Sequence, residues 1–462
     1  MDGVYLPLGR LRKAFSVLIE GCLLVLAFVV ASAARFHGDP FKNELLLPKA
    51  LVSALLIQIC LYYSDLYEDH AMRRRIEIFL RFGQAFMAAI LLLSLVYYAV
   101  PELSVGRGIL SIYLPLGLVL LLAWRALYLW LAGREALADN VLIVGTGPSA
   151  RLIAQEMLRL TPLGFRIVGF IGEQRAEVGK HIVNPAVIGV GEELQGLVQR
   201  HRVNLILVAL DDRRGKMPVA ELLTCRLAGV RVEEAPAFYE RLTGRIMVKN
   251  LRPSWLVFSQ GFNKPRLLRN SKRVGELVVA ALLIALLSPL LALIALLIKL
   301  DDPGPVLYGQ TRVGEKGRVF TLYKFRSMKA DAEAVSGPVW ASRDGDPRIT
   351  RVGRWLRKAR LDELPQLVNV VRGEMSFVGP RPERPHFIEH LNRVIPYYNE
   401  RHSVKPGITG WAQIKFGYGS TIEEAEDKLE FDLYYIKHMS LIFDLGILLD
   451  TLKVVVVGKG AR

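Results

Sequence analysis

Four apolar stretches open the chain, at 14–34, 45–63, 79–100 and 109–131. Each is long enough to cross a bilayer as a helix, which takes roughly 20 apolar residues. Charge is distributed unevenly at their ends. Arg10, Arg12 and Lys13 precede the first stretch, and Arg73, Arg74 and Arg75 separate the second from the third. The short link between third and fourth carries only Arg107. Cationic loops stay on the cytoplasmic side, so this pattern places both ends of a transmembrane bundle, residues 1–135, in the cytoplasm. No cleavage-site pattern follows the first stretch, which reads as an anchor rather than a signal peptide.

From residue 139 the periodicity shortens. Asn140-Val-Leu-Ile-Val reads as a strand running into the glycine turn Gly145-Thr-Gly-Pro-Ser-Ala150, and a helical pattern follows to Leu160. Further strands are expected at 166–171, 204–210 and 230–233, with a helix at 191–201. Such alternation predicts a Rossmann-like α/β domain over 136–262. Gly145 and Gly147 fit a G-x-G-x-x-A fingerprint, whose glycines let backbone approach a cofactor diphosphate. The acidic residue expected after the second strand is Glu173, later than the usual spacing. No Tyr-x-x-x-Lys occurs to support redox catalysis. Nucleotide sensing or a structural role fits this domain better.

A fifth apolar run, 274–300, is interrupted by Ser288-Pro289. Proline lacks a backbone donor and crowds the preceding turn. Lys272 and Arg273 before the run and Lys299 after it favour one membrane face for both flanks. A re-entrant helix that breaks at Ser288-Pro289 and returns is therefore expected, leaving residues 301–462 cytoplasmic. That remainder is rich in Arg, Lys, Gly and Pro, with only short periodic patterns. Leu441–Val457 is apolar but broken by Asp444, Asp450 and Lys453, as in an interfacial helix. The predicted fold is thus a membrane α-helical bundle, a Rossmann-like α/β domain, and a membrane-associated irregular α/β catalytic domain, 263–462, with a re-entrant helix.

Composition narrows the partners. The chain has 462 residues, 52% of them hydrophobic, and a mean hydropathy of +0.29, as for an integral membrane protein. Its formal charge of +16 suits nucleic acid, anionic lipid or phosphorylated small molecules. No nucleic-acid-binding pattern is present, so membrane lipids and phosphate remain. Three cysteines form no disulfide or metal framework. His386 and His390 are four apart but lack the spacing of a metal site, and a solvated helix face is expected for them. Trp340, Trp355 and Trp411 read as interfacial or core anchors.

The most informative segment is Leu361-Asp-Glu-Leu-Pro-Gln366, two adjacent acids behind Arg348, Arg351, Arg354, Arg357, Lys358 and Arg360. Asp362 suits a helix N-cap and Glu363 a first turn. The same pair in a basic setting suits a phosphate substrate with a divalent cation. A carboxylate can attack phosphorus, splitting one difficult transfer into two easier ones, and Mg²⁺ would offset its repulsion from a diphosphate.

This hexapeptide, with Asp302-Pro-Gly-Pro-Val306, Tyr323-Lys-Phe-Arg-Ser-Met328, Phe377-Val-Gly-Pro-Arg-Pro382 and Lys405-Pro-Gly-Ile-Thr-Gly-Trp411, resembles the monotopic phosphoglycosyl transferase family. These are bacterial sugar-1-phosphate transferases that load undecaprenyl phosphate. The upstream bundle and α/β domain resemble its large members, which initiate exopolysaccharide or O-antigen synthesis at the inner membrane. The resemblance implies Asp362 as nucleophile on the β-phosphate of a UDP-sugar, releasing UMP. It implies Glu363 as its partner, with Asp362 and Glu363 as the metal ligands for Mg²⁺. Lys324, Arg326 and Arg357 would stabilise transferred charge, and Arg326, Arg381, Pro382 and Arg384 would bind substrate. Ser288-Pro289 matches the family's helix-breaking pair, and a homodimer through the N-terminal regions is implied. Two rivals are a membrane-anchored nucleotide-sugar dehydratase, opposed by the missing Tyr-x-x-x-Lys, and an inactive polysaccharide-assembly sensor, opposed by the intact acids.

Overall fold

The computed structural model describes residues 8–36, 45–64, 66–67, 75–132, 139–159, 165–212, 214, 216–249, 258–329, 348–416 and 421–457. Arg73, Arg74 and Trp340, named above, lie outside these residues. The chain forms two compact units, Met1–Thr243 and Gly244–Arg462. The division comes earlier than the expected 262/263 boundary, because Ile246 and Val248 donate their backbone N–H groups to Glu430, at 3.1 Å each. Bundle and α/β domain, expected as separate modules, share the first unit.

Four long helices begin that unit: α1 (Leu8–Arg35), α2 (Leu46–Tyr63), α3 (Arg75–Ala99) and α4 (Arg107–Ala132). All four are long and apolar enough to span a membrane. Ala27 and Ala31 on α1, Ala50 and Ala54 on α2, and Ala85 and Ala89 on α3 are buried in one core. Small residues one turn apart let helix backbones approach where lipid offers no hydrophobic drive for association. A buried polar group sits among them. Glu20 of α1 pairs with Arg125 of α4 at 2.7 Å and accepts from Tyr67 at 2.7 Å. Arg125 also donates to the Leu66 carbonyl at 3.0 Å, which fastens the segment following α2. Buried charges persist in such surroundings only when paired.

The α/β half contains a five-stranded parallel sheet in the order β3-β2-β1-β4-β5. Its strands are β1 (Asp139–Val144), β2 (Phe165–Gly172), β3 (Val187–Val190), β4 (Leu205–Val208) and β5 (Arg231–Glu234). Helices α5 (Pro148–Arg159), α6 (Leu194–Arg200), α7 (Val219–Leu227) and α8 (Ala235–Thr243) complete it. Leu142, Val144, Ile206 and Val208 pack with residues of α6 and α7 in one cluster. Strand β3 was not anticipated. Its four residues, Val-Ile-Gly-Val, are too few to establish a period.

The second unit opens with α9 (Arg266–Asp301), a fifth helix apolar enough to span a membrane. The expected interruption does not end it: helix continues through Pro289. Proline removes the donor for the Ala285 carbonyl, and the Ser288 hydroxyl supplies one instead, at 2.8 Å. Next come the hairpin β6 (Leu307–Val313) and β7 (Val319–Phe325), then α10 (Arg351–Lys358) and α11 (Gln366–Arg372). Strand β8 (Ser376–Val378) pairs in parallel with β9 (Gly407–Thr409), and α12 (Pro385–Val394) lies between them in sequence. Helices α13 (Trp411–Lys415), α14 (Ile422–His438) and α15 (Leu441–Val457) finish the chain. Trp411 is buried against Phe443, Phe431 and Tyr434, whereas Trp355 on α10 is 80% exposed. His386 and His390 are exposed on α12, as expected.

Candidate active site

Asp362 and Glu363 occupy a single 3₁₀ turn, Leu361–Glu363, between α10 and α11. This corrects the capping role expected for Asp362. Pro365 precedes α11, and no side chain caps that helix. The turn is instead fixed from below by Leu361 and Leu364, which pack with Ile294 and Ile298 of α9, Phe325 and Leu356. Arg360 enters it with φ 55°, a left-handed conformation that is costly for a residue with a Cβ.

Strand β7 brings the first cation. Lys324 Nζ lies 2.8 Å from Glu363 Oε1 and 4.0 Å from Asp362 Oδ2. Arg381 Nη2 approaches the same Glu363 oxygen at 3.4 Å. The two acids therefore fare differently. Burial pushes both carboxyl pKa values up. At Glu363 the combined attraction of Lys324, Arg381 and Arg360 outweighs burial and brings the value down to about 2. At Asp362 burial prevails and the pKa stays raised, although Lys324, Arg357 and Arg381 oppose it and Glu363 adds to it.

Asp362, Glu363, Lys324 and Arg381 thus converge, and Arg357, half-buried in the last turn of α10, acts on Asp362 through its charge. Arg326 is placed differently. It is 5% exposed, donates to the Asp302 carbonyl and faces the Asp302 carboxylate at 3.5 Å, which closes the Asp302-Pro-Gly-Pro loop. Arg384 takes the N-cap position of α12. Pro382 is buried, and its carbonyl accepts from Arg312 at 2.8 Å. Ser288 and Pro289 are exposed midway along α9, and Gly145 and Gly147 belong to the first unit.

Two glycine-rich motifs are backbone neighbours. Gly379 N donates to the Thr409 carbonyl and Gly407 N to the Pro380 carbonyl, both at 2.9 Å. A Cβ on Gly407 would come within 2.1 Å of Gly379 N, so only hydrogen fits there. Several positioning residues escaped the sequence reading. Asn369 is fully buried, accepts from Tyr323 N at 3.1 Å and donates to the Thr321 carbonyl at 2.7 Å, joining α11 to β7. Arg401 and Asp432 form a buried pair at 2.8 Å. In sequence Asp432 is a lone acid between Phe431 and Leu433, and Arg401 stands in a polar run that reads as surface.

A profile described as bacterial sugar transferase matches residues 267–458, which contain all of these site residues. The chain is 34% identical over 348 residues to an Escherichia coli K12 protein named UDP-glucose:undecaprenyl-phosphate glucose-1-phosphate transferase, covering 72% of this chain and 71% of that one. A Xanthomonas campestris pv. campestris protein of the same name is 30% identical over 431 residues, covering 87% and 85%. The chain belongs to the bacterial sugar transferase family. Identity rises to 43% over 242 residues with an Aeromonas hydrophila protein named UDP-N-acetylgalactosamine-undecaprenyl-phosphate N-acetylgalactosaminephosphotransferase. That match covers 52% of this chain and 56% of the relative, so the chain spans little more than half of its length.

A second profile, described as a CoA-binding domain, matches residues 62–225 of this chain. Carboxylates of the chain lie against the glycine turn of that region. Ser149, in the first turn of α5, donates to Asp211 at 2.5 Å, and a Cβ on Gly147 would come within 2.0 Å of the other Asp211 oxygen. Thr146 donates to Glu177 at 3.3 Å, and Glu173 is paired with Lys216 at 2.5 Å. A phosphate about 5 Å from a carboxylate is repelled by roughly 3 kcal/mol per charge pair at an effective dielectric of about 20. Two such carboxylates oppose what a turn and a helix N-terminus provide. Calorimetric titration of the purified protein with CoA or NAD⁺ is expected to give no heat of binding at millimolar ligand. A micromolar Kd for either would contradict this reading.

Proposed function

We propose that the chain transfers sugar-1-phosphate from a UDP-sugar to undecaprenyl phosphate, through a phosphosugar carried on Asp362. The observation that carries the reading is the divergence of two adjacent acids. Glu363 is ionised and engaged by Lys324 and Arg381, while Asp362 is buried with its pKa raised. Neighbouring carboxyls with opposed environments divide chemical labour. A carboxylate stripped of water is the better nucleophile, and nearby cations stabilise charge on the transferred oxygens.

In the first step an Asp362 oxygen bonds to the β-phosphorus, and the bond from that phosphorus to the bridging oxygen breaks. UMP leaves with that oxygen and its electron pair. In the second step a phosphate oxygen of undecaprenyl phosphate bonds to the same phosphorus, the acyl-phosphate bond breaks, and the carboxylate is restored. The names of the family relatives differ in sugar and share the UDP donor and the lipid phosphate, which supports this substrate class. The donor set also suits a hard divalent cation. Mg²⁺ needs only one or two carboxylates once substrate phosphates complete its shell, and Asp362 and Glu363 would supply them. When bound it would neutralise diphosphate charge.

We further propose that α9 is re-entrant. Residues on both sides of Pro289 bond to the same compact unit. Arg273 donates to the Val370 and Val371 carbonyls, at 2.5 and 2.8 Å, and Asp301 accepts from Val352 N at 2.9 Å. A helix held at both ends by one unit enters the membrane and returns, with exposed Leu282, Leu286, Leu293 and Leu296 facing lipid. The acceptor makes this useful. Each buried CH₂ is worth about 0.8 kcal/mol, so a polyprenyl chain stays in the bilayer and the site must meet it at the inner-membrane surface.

Three measurements test these readings. Incubation with Mg²⁺, UDP-sugar and labelled UMP, without lipid acceptor, is expected to move label into UDP-sugar. Asp362→Asn should lower that exchange by at least about three orders of magnitude. Absence of exchange alongside full transfer to added lipid would mean direct displacement. Next, Asp362 must be deprotonated to attack, so activity falls as pH drops through its raised pKa. Lys324 is the strongest influence lowering that pKa, and Lys324→Met should move the acid limb of kcat/KM to higher pH. An unmoved limb would remove Lys324 from the electrostatics of Asp362. Finally, Ser271→Cys, on α9 ahead of its apolar run, and Lys316→Cys, beyond the end of α9, should react in a cysteine-free background with an impermeant maleimide only from the cytoplasmic side. Labelling of one from each side would make α9 a span.

A further inference from the structure

Arg381 reaches Glu363 from a backbone segment with an unusual supply of acceptors and few donors. Residues 378–383 read Val-Gly-Pro-Arg-Pro-Glu, and the two prolines have no N–H to give. Five carbonyls of this strap have identified donors. The Val378 carbonyl accepts from Lys272 at 3.1 Å and from Tyr435 at 2.9 Å. The Pro380 carbonyl accepts from Gly407 N at 2.9 Å and the Glu383 carbonyl from Val313 N at 3.0 Å. The Pro382 carbonyl accepts from Arg312 at 2.8 Å. The carbonyl of Arg381 itself accepts from Arg401 Nη2 at 3.0 Å.

Arg401 is built into the core. It is 5% exposed, pairs through the same Nη2 with Asp432 at 2.8 Å, and donates from Nη1 to Tyr398 at 2.5 Å. Asp432 lies on α14, which packs through Leu429, Leu433 and Ile436 into the largest core of this unit. A buried arginine is expensive and is no more stabilising, on average, than well-packed apolar residues. Its fork geometry explains its use here. One planar guanidinium can bind a carboxylate, a phenol and a carbonyl at once and hold all three in register.

We propose that Arg401 is a positioning residue, which sets where the Arg381 guanidinium meets Glu363 and the donor diphosphate by gripping the Arg381 carbonyl. The inference rests on the phosphotransferase reading above. Arg401 contacts neither acid, and its influence passes through Arg381. A misplacement of about 1 Å at a reacting group can lower a rate by about a hundredfold, so a buried clamp on this one residue has catalytic weight.

The test compares Arg401→Lys, Arg401→Met, Arg381→Met and the double variant Arg381→Met/Arg401→Met in the full chain, with wild type assayed alongside. Arg401→Lys keeps a charge against Asp432 but draws the donor back from the Arg381 carbonyl, so it should still fold, with a lower Tm. It is expected to lose about tenfold to a hundredfold in kcat/KM. The loss should fall on KM for the UDP-sugar as well as on kcat, because the displaced Arg381 guanidinium also meets the donor diphosphate. In the Arg381→Met background, Arg401→Met should cost no further activity, since the residue it positions is already gone. Independent, multiplying losses, or a folded Arg401→Lys with wild-type kcat and KM, would overturn the proposal. If Arg401→Met does not fold, Arg401→Lys combined with Arg381→Met decides in the same way. Inactivity of the wild type with every UDP-sugar would defeat the phosphotransferase reading instead.

Discussion

Everything at the catalytic end of this chain follows from placing two adjacent carboxylates out of water. Uncompensated, the pair would repel and take up a proton. Lys324 between them and Arg381 on Glu363 remove most of that penalty for one acid, leaving Asp362 to carry the desolvation. The surrounding elements exist in the arrangement that delivers those cations. The β6–β7 hairpin brings Lys324, Asn369 ties that hairpin to α11, and the β8–β9 pair carries Arg381. Glycines at 379 and 407 let two backbones approach until no side chain fits between them. Stability of the fold and charge at the site are consequently the same problem.

The membrane helix answers a second version of it. A proline inside a lipid-exposed helix leaves a carbonyl without a donor, which is expensive in hydrocarbon. Ser288 supplies the missing hydrogen bond one residue earlier, so Pro289 alters the helix without ending it. The core beneath the acidic turn draws Ile294 and Ile298 from the part of α9 after this proline, while Ala280 before it packs against Leu367 and Val370. The helix thereby serves as the floor of the site. A substitution that straightens or shortens α9 acts on Asp362 through the apolar contacts of Leu361 and Leu364.

Sequence periodicity was enough for the long elements and for the chemistry carried by consecutive residues. The four opening helices, the parallel sheet and the Asp362-Glu363 pair are all legible, because each signal lies within one continuous stretch. What was not legible depends on residues distant in sequence. Arg401 pairs with Asp432 and grips residue 381; nothing local to an Arg-His-Ser run indicates either partner. Arg326 sits two residues beyond Lys324 and carries the same charge, yet one faces the acids and the other closes the Asp302 loop. Alternation along a strand assigns both to one face, and only tertiary packing separates their tasks. Asp362 misled for a related reason. The rule that favours aspartate before a helix holds where water competes, and here the carboxylate is turned into a buried, cationic pocket.

The two units meet the same problem with opposite signs. Both contain backbone features able to receive phosphate. In the first, the turn at Gly145-Thr-Gly-Pro is flanked by Asp211 and Glu177, which accept from the Ser149 and Thr146 hydroxyls. In the second, the acids are the minority, set among Lys324, Arg357 and Arg381. On these side-chain charges alone a diphosphate is disfavoured by the former and favoured by the latter. Fold likeness in the α/β half is therefore a poor guide to its ligand, since two side chains suffice to reverse the local field. At the catalytic end, by contrast, identity with the family and the local field point the same way, and that agreement supports the nucleophile role proposed for Asp362.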